Sequence, residues 1–520
     1  MNMKETLVLV VLDGWGVGKL DESNPIYKTD PKTIRYIREN FPCGALQASG
    51  MAVGLPYDEE GNSEVGHLTM GAGRVFWEHF PKISLAVKDG SFFKNEVLLS
   101  AINWAKRKKS RLHLVGLLTE TNVHSSLEHL EALIAMARKN GVEDFSLHLF
   151  SDGRDSAPQS FLALLARLGK DVGFDVLKNV ASVSGRYYAM DRDKHWDRTE
   201  KVYRVLTGDV APIGTAAEAV QKAYVKNLDD EYVDPSAVGE PHPIADHDAV
   251  LFFNFREDRM RQLTAAFIDP DFKNFTTKPI ADLFVVTMTT YDQTFAVPAA
   301  FPDAFVEKPL GEVLSEAGKT QLRVAETEKY AHITYFFNGL REKPFPNEFR
   351  VLIPSRNTIH YEDHPEMMAK PITDRVIAAL GEGTFDFILV NYANADMVAH
   401  TGNYEATKMA IRAIDDELKR LLENSLPLGH VVMITSDHGN AEVLLDLDTG
   451  EPETKHDPSP VPFYLVGRQF KKKTPTPAQT PLPVVGMISD IAPTILSLLR
   501  VPKPKEMTGQ SLLPELLEEI

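Results

Sequence analysis

Three aspartates, three histidines and one serine stand in this 520-residue chain in settings that suit hard-metal and phosphoryl chemistry. Asp13 follows an apolar run over 6–12. Asp396 and His400 are four residues apart in Asn394-Ala395-Asp396-Met397-Val398-Ala399-His400, so a helical turn puts both on one face. Asp437-His438 follows a second apolar run, 430–436, and Gly439 allows a tight turn there. His456 lies in Lys455-His456-Asp457-Pro458. Carboxylates mixed with imidazoles, and no thiolate, suit Mn²⁺, Zn²⁺ or Co²⁺; Mg²⁺ favours oxygen alone. With Ser63 the donors suffice for two cations. Two cations about 4 Å apart can clamp the attacking and leaving oxygens of an in-line phosphoryl displacement. Taken singly, an Asp after a strand is commonly a turn or cap residue, and an Asp/His pair at i, i+4 a surface ion pair. The recurrence of such residues at apparent strand ends is what favours a shared metal centre.

Ser63 sits in the glycine-bounded turn Gly61-Asn62-Ser63-Glu64-Val65-Gly66-His67. The expected place is at or near a helix N-terminus, where backbone N–H groups and the helix dipole favour a phosphate. The competing structural reading is a plain N-cap serine with Glu64 in the first turn. A serine hydroxyl is a weak nucleophile at neutral pH, and metal coordination makes its alkoxide accessible. This reading predicts a phosphoserine intermediate.

The elements that must position these residues read as alternating strands and helices. Continuous apolar runs at 6–12, 112–118, 145–150, 250–255, 283–288, 385–391 and 430–436 look like buried parallel strands. Helical patterns lie between them, as at 127–140 and 404–423. The fold class expected is α/β with mostly parallel sheets, and in such sheets ligands sit beyond the carboxyl ends of the strands. The lysine run 471–473 and the Pro/Thr-rich stretch 474–483 read as a solvated loop; 488–500 and 512–520 read as helices.

Lys and Arg total 56 against 73 Asp and Glu, a formal charge of −17, which argues against a general nucleic-acid or anionic-membrane binder. An anionic substrate then needs local cations, either metals or arginines. The single cysteine, Cys43, excludes an internal disulfide, fits a reducing compartment and is expected to be a buried structural thiol. The N-terminus reads as a strand rather than a signal peptide, and no apolar stretch approaches about 20 residues, so a cytoplasmic protein without a membrane span is expected.

Taken together, Asp13-Gly14-Trp15-Gly16, Gly61 to His67, Asp396 with His400, the run Asp437-His438-Gly439-Asn440-Ala441-Glu442, and His456 resemble the cofactor-independent phosphoglycerate mutases of the alkaline phosphatase superfamily. The likeness covers nearly the whole chain. It implies an alkaline-phosphatase-like sheet flanked by helices at 1–77 and 309–520. An inserted α/β phosphotransferase domain would occupy 78–308, with two hinge-like connections that let the domains close over substrate. It implies one divalent cation on Asp396, His400 and His456, and another on Asp13, Ser63, Asp437 and His438, with Mn²⁺ favoured and Mg²⁺, Co²⁺ or Zn²⁺ allowed. It further implies that phosphoglycerate is bound by His124, Arg154, Asp155, Arg186, Arg192, Arg256, Arg259 and Lys329. Of these, His124 would act as acid and base, and Lys329 would stand near the domain junction. Arg256 and Arg259 are three apart, on one face if helical. A monomer acting on a small molecule, without nucleic acid or membrane, is expected.

The chain also departs from the family. Where the usual run is Ser-Asp-Gly-Gly-Val-His-Ser-His, this sequence has Thr119-Glu120-Thr121-Asn122-Val123-His124-Ser125-Ser126. Near His456 the family favours Thr-Ala-His-Thr, whereas here the flanks are Lys455 and Asp457-Pro458. The metal and serine motifs leave open a metal-dependent phosphatase, a mutase for another phosphorylated small molecule, or a non-catalytic relative.

Overall fold

The apolar run at the N-terminus folds as the strand Leu7–Leu12, all six residues buried. Successive side chains of a strand point to opposite faces. Here Val8, Val10 and Leu12 enter one hydrophobic core while Leu7, Leu9 and Val11 enter another. Each such fully buried Val or Leu is worth roughly 1.5–3 kcal/mol. This two-sided burial is why the run shows no polar alternation. In this computed structural model, residues 4–57, 59–240, 242–302, 306–358 and 360–517 are described.

The chain divides into two compact units, Met1–Trp77 with Phe305–Ile520, and Glu78–Ala304. The first holds an eight-stranded sheet in the order Glu348–Ile353, Gln321–Glu326, Phe387–Tyr392, Leu7–Leu12, Val431–Thr435, Val461–Val466, Cys43–Gln47, Val484–Met487. The first five of these strands are mutually parallel. Val461–Val466 runs antiparallel to both neighbours, and Val484–Met487 is parallel to Cys43–Gln47. Leu7–Leu12 is central, with Val11 opposite Asn391 on one side and Thr435 on the other. The second unit holds a seven-stranded sheet in the order Ser236–Ala237, Val180–Gly185, Phe145–Ser151, Leu112–Leu117, Ala249–Phe252, Phe284–Thr289, Ala299–Phe301. Only the two-residue strand is antiparallel. The α/β class with mostly parallel sheets is what the apolar runs predict.

The helices Leu127–Lys139 and Tyr404–Ser425 form where the period-3.6 pattern places them. The stretch 488–500 forms a short 3₁₀ turn, Ile488–Asp490, and then the helix Ile491–Leu498. Of the expected 512–520 helix, Leu513–Leu517 is helical and 518–520 lie outside the described residues. Arg256 and Arg259 are not helical: the helix begins at Arg261, and both arginines lie in the turn before it. Cys43 is half-buried on its strand rather than buried, its thiol donating to the Arg38 carbonyl oxygen. Among the described residues no helix is long and apolar enough to cross a membrane.

His129, on the helix Leu127–Lys139, is buried against the rings of Phe80 and Phe255, with Nε2 2.9 Å from Ser84 Oγ. Burial lowers its pKa to about 4 from an ordinary 6.5. The unfolded chain therefore binds this proton more readily. Stability is full above pH 6.5 and is lost as pH falls towards 4, by on the order of 3 kcal/mol from this one group. A His129→Gln variant is expected to flatten that dependence, so that its thermal midpoint falls less than that of the wild type between pH 7 and pH 5.

Candidate active site

Four turns that carry candidate site residues leave one edge of the first unit's sheet because their strands are parallel. Asp13 follows Leu7–Leu12, the helix Asn394–Ala399 with Asp396 follows Phe387–Tyr392, Asp437-His438 follow Val431–Thr435, and Lys329 follows Gln321–Glu326. Val461–Val466 is antiparallel, so its start, and with it His456, comes to the same edge. Ser63 is the first residue of the helix Ser63–Ala72. The N-cap is Asn62, whose side chain accepts from Val65 N, which leaves the Ser63 hydroxyl available for other contacts.

These side chains converge. Ser63 Oγ lies 3.1 Å from Asp13 Oδ1 and 2.9 Å from His438 Nε2. Lys329 Nζ donates to Ser63 Oγ and Asp396 Oδ2, both at 2.7 Å, and pairs with Asp13 Oδ1 at 2.5 Å. His400 Nε2 is 3.2 Å from both Asp396 Oδ1 and His456 Nε2. Asp437 Oδ2 is 3.5 Å from His438 Nε2. All seven sequence-derived metal donors and Lys329 thus lie in one cluster, and all but His400 and His456 are buried.

The donor chemistry fits divalent cations. In each of His400, His438 and His456, Nδ1 faces a backbone carbonyl oxygen, of Thr454, Gly439 and Gly61 at 2.9, 3.1 and 2.8 Å. That partner holds the hydrogen on Nδ1 and turns Nε2 inward, so that Nε2 is the atom left to bind a metal once it is unprotonated, the usual arrangement of a metal-binding histidine. His400 and His456 thereby bring their Nε2 atoms together beside the Asp396 carboxylate. Asp437 Oδ2 is buried without a hydrogen-bond partner. The donor atoms of Asp396, His400 and His456 all lie within 4.8 Å of one another, as do those of Asp13, Asp396 and His438.

The charges are strongly coupled. Burial would raise the Asp396 and Asp437 pKa values, but Lys329 beside Asp396 and His438 beside Asp437 hold both carboxyls well below the usual range. Burial would lower His438, yet the carboxylates of Asp437, Asp396 and Asp13 raise it to about 10. Lys329 stays protonated despite full burial because Asp13, Asp396 and Asp437 surround it.

Three polar residues of this cluster have roles that sequence spacing did not reveal. Asn391 Nδ2 donates to Asp13 Oδ2 at 2.7 Å and lies 3.2 Å from His67 Nε2. His67 Nδ1 is 2.8 Å from the Ser63 carbonyl oxygen and 3.3 Å from Asp437 Oδ2, and its donors also group with Asp13 and Asp437. Asn440 Nδ2 donates to Asp396 Oδ1 at 2.8 Å. The available signal for His67 was its place one helical turn after Ser63.

The second unit gathers its own polar residues, again at carboxyl strand ends. Asp152 follows Phe145–Ser151 and Arg186 follows Val180–Gly185. Arg186 Nη1 donates to Asp152 Oδ1 at 2.7 Å and to Asp155 Oδ2 at 2.5 Å. His124 is buried between two carboxylates, Nε2 3.7 Å from Asp155 and Nδ1 3.8 Å from Asp258. Burial and then the Arg186 charge lower its pKa to about 4. Asp258 also holds Arg192 at 2.7 Å and Arg256 at 3.5 Å, whereas Arg259 donates to the Met190 carbonyl oxygen. Arg154 is more than half exposed, and its nearest carboxylate, on Glu231, is 3.7 Å away.

The altered loop before His124 turns at Asn122. Asn122 stands in the left-handed region, φ 57°, where the family's usual run has glycine. Asn is among the few non-glycine residues that accept this conformation readily. Thr119 Oγ1 donates to Asp152 Oδ2 at 2.7 Å, which ties the loop to the Arg186 network. Beside His456, the Asp457 backbone N donates to Gly439 O at 3.0 Å and holds the His456 loop against the His438 turn, while the Asp457 carboxylate accepts from Ser459 N at 2.9 Å and Ser459 Oγ at 2.5 Å.

Residues 83–293 match the family described as BPG-independent PGAM N-terminus. The 2,3-bisphosphoglycerate-independent phosphoglycerate mutase of Synechococcus sp. (strain JA-3-3Ab) is 44% identical over 508 residues, covering 98% of this chain and 95% of its own. The 2,3-bisphosphoglycerate-independent phosphoglycerate mutase 2 of Methanosarcina acetivorans is 44% identical over 517 residues, covering 98% of each. A crystal structure of Leishmania mexicana phosphoglycerate mutase at low cobalt concentration aligns with a TM-score of 0.55 at 30% identity, covering 98% of this chain and 97% of that one.

Proposed function

Because this chain belongs to the 2,3-bisphosphoglycerate-independent phosphoglycerate mutase family, we infer that it interconverts 3-phosphoglycerate and 2-phosphoglycerate by passing the phosphoryl group through Ser63. The observation that carries the serine step is the Ser63 hydroxyl at a helix N-terminus, 2.7 Å from the buried Lys329 ammonium and within 3.1 Å of Asp13 and His438. Two divalent cations, Mn²⁺ by preference, held by Asp396, His400 and His456 and by Asp13, Ser63, Asp437 and His438, would lower the serine pKa and neutralise the transferring phosphoryl group.

In this reading Ser63 Oγ, its proton already released to solvent, attacks phosphorus as the bond to the 3-oxygen of glycerate breaks. Lys329 and the helix N-terminus balance the charge that develops on the phosphoryl oxygens. His124 protonates the departing 3-oxygen, then takes the proton of the 2-hydroxyl as that oxygen attacks phosphoserine, and so ends as it began. Its pKa is near 4 in the ligand-free protein. An arriving substrate with nearly three negative charges raises it and recruits the proton. Arg154, Arg186, Arg192, Arg256 and Arg259 hold the carboxylate and phosphate, with Asp155 orienting Arg186. Water must be kept from the phosphoserine, because hydrolysis there would make the enzyme a phosphatase. The first unit is assigned the transfer and the second the grip on substrate. The assignment extends to a monomeric cytoplasmic enzyme.

A coupled assay for 2-phosphoglycerate, with inorganic phosphate measured in the same reaction, tests the reading. Isomerisation with negligible phosphate release is expected; phosphate release without isomerisation would leave only the phosphatase alternative. Arg154 offers a second test because little in the fold depends on it. An Arg154→Ala variant is expected to raise KM by about 10–100-fold, the loss of one charge-assisted contact. Its thermal midpoint should stay within about 2 °C of the wild type.

A further inference from the structure

Glu442 closes the run that begins at Asp437, and the reaction above gives it nothing to do. Its carboxylate is fully buried. Oε2 accepts two backbone hydrogen bonds, from Gly16 N at 2.9 Å and Asn440 N at 2.8 Å. Gly16 stands three residues after Asp13, and Asn440 two after His438. One oxygen therefore joins the two turns that carry these donors.

The chain clears space for this residue at three glycines, for the carboxylate at Gly16 and Gly439 and for its stem and backbone at Gly18. A Cβ on Gly16 would lie 2.1 Å from the Glu442 carboxyl carbon, one on Gly439 2.2 Å from Oε1, and one on Gly18 2.8 Å from Cγ. None of the three is among the glycines with positive φ, so room rather than backbone conformation demands glycine there: room for Glu442 at Gly16 and Gly18, and at Gly439 room for Glu442 and for the Asp457 carbonyl oxygen, 2.8 Å from the added Cβ. A second bond runs alongside, from Ala441 N to the Gly14 carbonyl oxygen at 2.9 Å. Beyond it, the Asn440 side chain reaches Asp396 Oδ1 at 2.8 Å and comes within 3.4 Å of His400 Nε2. A buried carboxylate with one oxygen lacking any hydrogen-bond partner is a costly way to fill a core. An apolar side chain would fill the space at less cost, but it could not accept from two turns at once.

We propose that Glu442 is a positioning residue that sets the spacing between the Asp13 turn and the Asp437-His438 turn, and through Asn440 the placement of Asp396 and His400. The proposal rests on the reading that those residues hold the cations.

The test is equilibrium dialysis of Mn²⁺ against the chelator-stripped full-length protein. Glu442→Ala should weaken Mn²⁺ binding by about 10–100-fold. Glu442→Asp, one methylene short of both N–H groups, should fall with it. Glu442→Gln, whose carbonyl oxygen can accept the same two bonds, should stay within about threefold of wild type. Gly16→Ala puts a methyl where the carboxylate lies and should weaken binding, while Gly16→Ala with Glu442→Ala should bind no worse than Glu442→Ala alone, because the clash is gone. If Glu442→Ala does not fold, the Gln variant and the Gly16→Ala variant decide. Wild-type affinity in both the Ala and Asp variants, a Gln variant as weak as Ala or Asp, or additive losses in the double variant would each overturn the proposal. A wild-type protein that binds no Mn²⁺ would remove the cation reading itself, and the proposal with it.

Discussion

Ser63→Ala is expected to lower kcat by at least about 10⁴-fold, the scale on which loss of a covalent nucleophile is felt. Among the described residues Ser63 supplies the one hydroxyl that Lys329 Nζ contacts, so no neighbouring oxygen stands ready to replace it. The fold should survive. Asn62, not Ser63, caps the helix, so the cap to Val65 N remains. Lys329 keeps Asp13 and Asp396 as partners. The expected variant is therefore folded, binds phosphoglycerate and does not turn it over. Circular dichroism, substrate titration and the coupled assay separate these three properties, and a Ser63→Ala enzyme with more than a hundredth of wild-type kcat would rule out serine transfer.

Removal of divalent metal is the second large effect. A chelator is expected to abolish isomerisation, and Mn²⁺ added back to restore it. The sign of the pH dependence follows from the donors. His438 is raised to about 10 and so carries a proton at neutral pH when no cation is bound, and the Asp396 carboxylate shifts His400 in the same direction, towards its protonated form. A cation must displace those protons, and its affinity therefore rises with pH and falls in mildly acidic buffer. Binding should release protons, which calorimetry in buffers of different ionisation enthalpy reads directly. The folded protein alone offers the assembled donors. Saturation at about 1,000 times Kd should then stabilise it by about 4 kcal/mol and raise the thermal midpoint. An affinity unchanged from pH 8 to about 5.5, below the ordinary histidine pKa near 6.5, would contradict this account of the donors.

The parts of the molecule legible in the sequence are those whose information is local. The strand Leu7–Leu12 is a run of six buried residues ending in Asp-Gly, and no other element type fits that pattern as well. The strand Gln321–Glu326, which launches Lys329, was not legible because Arg323 interrupts it. That arginine is fully buried between the rings of Phe337 and Phe387, a placement that no local rule anticipates for a charged residue. Ser236–Ala237 is too short to give a periodic signal. The site divides the same way. Asp13, Asp396, Asp437 and His438 could be singled out because each ends a strand or shares a helical turn. Asn391 lies inside an apolar run, and its partner Asp13 is 378 residues away. The second unit's arginines reached the reading through family resemblance. Their pairing with Asp152, Asp155 and Asp258 is a property of the folded sheet. The loop before His124 shows the converse. Two lost glycines suggest a changed loop, but the one left-handed position is filled by Asn122, a residue able to take it.

The most direct test of the serine route is to quench the enzyme in acid during turnover of 3-phosphoglycerate and locate the phosphoryl group by peptide mass spectrometry. Phosphate on the peptide that contains Ser63, absent from the Ser63→Ala variant, is the expected result. An unmodified Ser63 peptide with phosphate on another side chain in an actively isomerising enzyme would contradict it.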